Sequence, residues 1–235
     1  MYLERWISSQ YNRVARVFCF LLSMLLIFLM SSVSSQAEEG SAHVYHRHEN
    51  SEMKVALTFD DGPHPILTPA ILKILARYKI KATFFLVGEN VKNYPGVVEQ
   101  ILAEGHEIGN HTYSHDCINT REIEQCEQAI YELTDYKTKL FRPPQGFVDQ
   151  SVKEASLSLG YDIILWDIDT RDWEHTPPRQ ICSLIVNDIT AGSIILMHDY
   201  IGHNSPTPQA LELLIPEVIA LGYQFVPVSE LIGTK

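Results

Sequence analysis

The chain has 235 residues, 46% of them hydrophobic and 20% charged, and a formal net charge of −11. That balance excludes a nucleic-acid binder built on a cationic face, and the length suits one well-cored domain rather than two. Four cysteines do not make a disulfide framework.

The first stretch has the form of an export signal. Arg5, Arg13 and Arg16 precede an apolar run at 17–30, which gives way to small polar residues and a candidate cleavage point near Ser35 or Ala37. The run falls short of the ~20 apolar residues of a bilayer span, so a signal peptide over 1–37 is expected; a membrane association follows only if it stays uncleaved. Cys19 lies inside the run rather than at its end, unlike a lipoprotein attachment site. Setting 1–37 aside removes three arginines and one glutamate from the 18 basic and 29 acidic residues, deepening the acidic excess to −13. Residues 38–53 read as a solvated polar linker, in which His43, His46 and His48 have no scaffold to make them ligands. Residues 54–235 read as one domain.

From Lys54 the pattern becomes regular. Short runs rich in β-branched and aromatic residues predict strands at 55–59, 82–86, 107–110, 140–142, 162–166, 193–198 and 224–226. Amphipathic stretches between them predict helices at 69–78, 94–104, 121–136, 149–159, 178–187 and 208–221. Thr68 before Pro69 reads as the cap of the first helix, and Asn119 with Glu122 as a capping box for the third. Strict alternation implies parallel strands joined by right-handed crossovers. Polar clusters at five or more strand ends favour a barrel over an open sheet, which concentrates its site at one switch point. Of the three cysteines after residue 37, Cys117 and Cys126 are either a staple or, with Cys182, unpaired thiols.

The chemistry lies in five motifs at these strand ends: Thr58-Phe59-Asp60-Asp61-Gly62, His111-Thr112-Tyr113-Ser114-His115, Arg142-Pro143-Pro144-Gln145-Gly146, Asp169-Thr170-Arg171-Asp172-Trp173 and Leu196-Met197-His198. His111 and His115, four apart, would face the same way on a helical turn and could share a cation. Asp60 or Asp61 would complete a two-histidine, one-carboxylate set, although adjacent aspartates before Gly-Pro are also ordinary turn residues. One carboxylate can hold a cation while the other takes a proton from water that the cation has acidified. His198 shares strand parity with Leu196, and Asp172 is placed to hold its imidazole charged. Arg142 is placed to pair with a carboxylate. Asn110-His111-Thr112 spells a glycosylation sequon, read as accidental because it overlaps the histidines; Cys117 is set aside as a further ligand because a water-activating site needs an open position.

In this order the five motifs resemble the polysaccharide deacetylase family, also called the NodB-homology domain or family 4 carbohydrate esterases, from Lys54 to Leu231. The resemblance implies a distorted (β/α)7 barrel. It implies Asp60 as general base, Asp61, His111 and His115 as metal ligands, and His198 as general acid. By the same resemblance Arg142 holds Asp60, Asp172 orients His198, Trp173 and Leu196 line the acetyl pocket, and Gln145 offers its backbone N–H to the oxyanion where the family often has tyrosine. The implied enzyme is a secreted or envelope-facing monomer using a divalent metal, zinc before cobalt, manganese, nickel or iron. It would remove acetyl groups from N-acetylglucosamine residues of a polysaccharide such as peptidoglycan, chitin or poly-N-acetylglucosamine. The rivals are an O-acetyl esterase on acetylxylan and a catalytically silent carbohydrate-binding domain.

Overall fold

Strands buried on both faces read as near-continuous apolar runs, and 54–60 is such a run: six of its seven residues are buried. The computed structural model describes residues 42–49, 52–202 and 204–234; the expected export signal at 1–37 lies outside them. Among the described residues nine strands form one parallel set: β1 (Val44–Tyr45), β2 (Lys54–Asp60), β3 (Thr83–Leu86), β4 (Glu107–Asn110), β5 (Leu140–Phe141), β6 (Asp162–Ile164), β7 (Ile168–Asp169), β8 (Ile194–His198) and β9 (Gln224–Phe225). Their order is β1-β6-β5-β4-β3-β2-β8-β7, with β9 joined to β2. The sheet curls into a half-barrel covered by α1 (Leu67–Tyr78), α2 (Gly88–Asn93), α3 (Pro95–Ala103), α4 (Thr120–Thr134), α5 (Gln150–Leu159), α6 (Pro178–Asp188), α7 (Thr207–Ala220) and α8 (Val228–Ile232).

All seven expected strands and six expected helices form, with ends shifted by a residue or two. Four further elements are too short to show a period in sequence: β1, β7, α2 and α8. β1 corrects the reading of 38–53 as a solvated linker. Leu165 N donates to Tyr45 O at 2.7 Å and Ile163 N to His43 O at 2.8 Å, so the segment covers the edge that β6 would otherwise expose. A second correction concerns Thr68, which is not a cap. The first helix begins two residues earlier than expected, after an uncapped Ile66, because the Thr68 hydroxyl accepts from His64 N and donates to Asp199. Asn119 does cap α4, accepting from Glu122 N at 3.0 Å. Cys117, Cys126 and Cys182 are free thiols, and Cys126 donates to Leu86 O, so the staple between Cys117 and Cys126 is absent.

Side-chain alternation sorts the core into layers. Val55, Leu57 and Phe59 of β2 and Ile195 and Met197 of β8 face outward, packing with Ile71, Leu75, Leu211 and Leu214 of α1 and α7. The opposite parity, Ala56, Phe85 and Ile194, turns inward to meet Val228, Leu231 and Ile232 of α8, which fills the interior. Each of the larger of these side chains contributes about 1.5–3 kcal/mol on burial. Along the same inward rows the character changes: Ala56 is followed by Thr58 and Asp60, and Ile194 by Leu196 and His198. The barrel is therefore apolar at its base and polar where the strands finish.

Candidate active site and metal centre

The β2–β8 ladder pairs Asp60 with His198, so register alone brings two of the motif residues to one end of the barrel. Arg142, just past β5, spans the interior with no exposed surface. Its Nη1 donates to Asp60 Oδ1 at 2.7 Å and to Thr58 Oγ1 at 2.8 Å, while Nε and Nη2 donate to the carbonyls of Ile164 and Leu165, both at 3.0 Å. Phe85 and Trp166 rings flank the guanidinium. Burial pulls the Arg142 pKa down, opposed by the Asp60 charge and hydrogen bond. A buried guanidinium needs its donors satisfied; Asp60 is thereby held by one oxygen, and the other, Oδ2, lies 3.8 Å from His111 Nε2.

Asp61 Oδ1 lies 3.3 Å from His111 Nε2 and 3.2 Å from His115 Nε2. One donor atom from each of the three residues lies within 4.8 Å of the others, a possible metal site. The His111 Nδ1 sits 2.6 Å from the Arg142 carbonyl oxygen, which can only accept, so the imidazole proton belongs on Nδ1 and the Nε2 lone pair points at Asp61. That arrangement of neutral imidazole nitrogen and carboxylate fits a divalent cation. Burial alone would raise the Asp61 pKa, but when His111 and His115 are protonated their hydrogen bonds, with the charges of His111 and His198, outweigh it and hold the carboxyl far below its usual range. The Asp61 hydrogen bond raises His115 in turn, against burial.

His111 and His115 do not share a helical turn. Residues 111–115 form a bent loop in which Thr112 and His115 both have φ of 65°. The bend is braced by side chains: Thr112 N donates to Asn110 Oδ1, His115 N to Thr112 Oγ1, and Ser114 N and Oγ both to Glu122 Oε2. Glu122 thus serves the loop instead of closing the capping box. Asn110 is fully buried and its amide donates to Ile123 O, which leaves the sequon no exposed acceptor.

On the opposite side, His198 Nδ1 is 2.8 Å from Asp172 Oδ1. Asp172 Oδ2 accepts from His198 N at 2.8 Å and from Thr207 Oγ1 at 2.7 Å. Burial opposes charging of His198, yet the hydrogen bond and charge of Asp172, with Asp60 and Asp61 behind it, raise its pKa to about 9. These groups face one cavity of 520 Å³ lined by Asp60, Asp61, His111, His115, Gln145, Trp166, Asp169, Trp173, Leu196 and His198. A second cavity of 230 Å³ shares His115 and Gln145 with it and has Phe147 in its wall.

Every site residue expected from the sequence either lines this cavity or holds a residue that does. Thr58, Trp166 and Thr207 were missed. Thr58 was readable, because it has the strand parity of Asp60; Trp166 and Thr207 reach the site through long-range contacts that carry no local signal.

The fold and this constellation define a parallel α/β barrel hydrolase with an Asp-His-His site at its strand ends. The chain belongs to the polysaccharide deacetylase family, whose description as Polysaccharide deacetylase matches residues 47–164. It is 40% identical over 194 residues to a peptidoglycan-N-acetylglucosamine deacetylase of Bacillus cereus, covering 79% of this chain and 91% of that one. A solved peptidoglycan N-acetylglucosamine deacetylase, bound to 4-naphthalen-1-yl-N-oxidanyl-benzamide, superposes with a TM-score of 0.79 at 35% identity over 83% of this chain and 94% of that one. A family 4 acetyl xylan esterase from Clostridium thermocellum, solved with a cobalt ion, gives 0.70 at 32% identity over 77% and 90%.

Proposed function

We propose that this chain is a divalent-cation-dependent deacetylase that hydrolyses the acetamide of N-acetylglucosamine residues in a polysaccharide, releasing acetate and a free amine. The observation that supports this reading is the convergence in one cavity of three ligand atoms within 4.8 Å, Asp60 held by Arg142, and His198 held by Asp172.

Asp61, His111 and His115 would hold the cation. Zinc suits two imidazoles and a carboxylate with positions left open, and cobalt, manganese, nickel or iron fits the same donors; the cobalt ion of the acetyl xylan esterase is in keeping with that range. When bound, the cation would supply Lewis acidity for the acetyl carbonyl and lower the pKa of water toward about 7. Asp60, fixed by Arg142, takes the proton from the attacking water through its free oxygen. The Gln145 N–H donates to the oxyanion that forms on the former carbonyl. His198 then delivers its proton to the nitrogen as the C–N bond breaks, with Asp172 stabilising the imidazolium before transfer. Leu196 and Trp173 enclose the acetyl methyl group.

An amine is a poor leaving group unless protonated, so a histidine held charged at neutral pH favours amide over ester chemistry. The relatives named peptidoglycan-N-acetylglucosamine deacetylases point to the wall polymer first. The adjoining cavity, with Phe147 58% exposed, suits a further sugar of a chain. A polymer of that kind lies outside the cytoplasm, in keeping with the export signal expected at 1–37. Among the described residues no helix is long and apolar enough to cross a membrane.

The O-acetyl esterase reading keeps a specific support in the likeness to the acetyl xylan esterase. Acetate release from peptidoglycan, chitooligosaccharides and acetylxylan, each with and without chelator, separates the readings. Chelator-sensitive release from the N-acetylated glycans is expected; release from acetylxylan alone would establish the esterase, and none from any glycan the silent domain.

A further inference from the structure

Asp61 sits in an uncommon backbone conformation. Its φ is 74°, in the left-handed region that side chains other than glycine avoid, and the proposed function depends on the direction its carboxylate takes from there. The turn it belongs to is held from both neighbouring strands. On the β3 side, Asn90 Nδ2 donates to the Asp61 carbonyl at 2.8 Å and Val87 N donates to the Gly62 carbonyl at 2.9 Å. On the β8 side, Asp199 N donates to the Asp60 carbonyl at 3.1 Å. The Asp199 carboxylate lies against Gly62 so closely that a Cβ there would run into it. Asp199 is fully buried and anchored through Oδ2, which accepts from Thr68 Oγ1.

Of these contacts, one is made by a side chain directly on the ligand residue from 29 positions away, and the family motifs give no reason for it. Asn90 is half-buried on α2, and its amide donates to the Asp61 carbonyl across the gap between that helix and the turn. We propose that Asn90 is a positioning residue for the Asp61 carboxylate. Its amide holds the Asp61 carbonyl against the turn that Asp199 closes from the other side, fixing the backbone conformation that aims Oδ1 at both His111 and His115. The proposal rests on the reading of Asp61 as a metal ligand. Partners that orient a ligand in this way typically govern metal affinity by 10–100-fold.

The test uses the metal-free full chain and zinc titrated against a chromogenic chelator. Four proteins are compared: wild type, Asn90→Asp, Asp61→Ala and the double variant. Asn90→Asp keeps the side chain's shape and removes the donor. It should bind zinc about 10–100-fold more weakly than wild type, and the cobalt-loaded protein should show an altered visible absorption spectrum. In the Asp61→Ala background the same substitution should change nothing further, because Asn90 acts through Asp61.

Wild-type affinity in Asn90→Asp overturns the proposal, as does an equal loss in both backgrounds, which marks a general structural role. Asn90→Ala is the second variant, expected to behave alike. Failure of both to fold, while Asp61→Ala folds, would assign Asn90 to stability and overturn the proposal as well. A wild type that binds no zinc or cobalt would instead sink the ligand assignment on which the proposal rests.

Discussion

His198 owes its proton to its neighbours. Asp172 takes its Nδ1–H and its backbone N–H, and the resulting pKa of about 9 keeps the imidazole charged through the neutral range. Turnover should therefore fall as pH rises through about 9, where the acid is lost. Asp172→Asn should move that fall to lower pH, and an unmoved pH profile would detach Asp172 from the role. His198→Ala should lower amide turnover by about 10²–10⁴-fold, leave zinc bound, and harm an aryl acetate far less, since a phenolate leaves without protonation. Arg142 belongs to the same scale. Removing it leaves Asp60 as an unpaired buried charge, which typically costs about 3–5 kcal/mol. Arg142→Ala should show that loss in urea unfolding together with lost turnover; unchanged stability would mean that the Arg142 hydrogen bond is not what holds Asp60.

Elements decide which of these residues meet. β2 and β8 were readable from their apolar runs, and their two-residue alternation gave the inward parity of Leu196 and His198. It gives Thr58 that of Asp60 as well. Where the signal failed, the length of the element explains it. Val44–Tyr45 and Ile168–Asp169 have two residues each, too few for alternation to show, and they become strands only because β6 and β8 present edges to pair with. Spacing misled at His111 and His115, because four residues apart is a helical signal only where the backbone is helical. Here Asn110, Thr112 and Glu122 hold the chain in a bend, and the imidazoles converge by a different route.

An element-scale prediction concerns His106, which introduces β4. Its ring is buried, and Nδ1 accepts from Ala82 N. Burial, and then the Lys81 charge, depress its pKa to about 4. The sign follows from linkage. Above pH 6.5 the histidine is neutral folded or unfolded, and its contribution to stability is fully present. As pH falls toward 4 the unfolded chain gains a proton that the fold refuses, and stability is lost. Between pH 7 and 5 this amounts to about 2 kcal/mol at 1.36 kcal/mol per pKa unit. His106→Asn, with an oxygen to accept from Ala82, should lose about that much less over the same interval in urea melts. An identical loss in both proteins would show that His106 titrates as it does in the unfolded chain.

At the scale of the molecule, the barrel divides its interior by height. α8 and the inward apolar residues of β2, β3 and β8 fill the base, Arg142 crosses the middle, and the ionisable groups sit where strands end. The sequence carried most of this, because each motif follows its strand directly and parallel strands bring their ends together. It could not carry α8 as the plug, since five residues at the far end of the chain have no local feature that says where they pack. The central claim is that Asp61, His111 and His115 hold one cation beside Asp60 and His198. The most direct test titrates zinc into metal-free protein while following binding and acetate release from an N-acetylated glycan together. One equivalent should bind and restore full release in step; release from metal-free protein, or binding that survives loss of all three side chains, would contradict the claim.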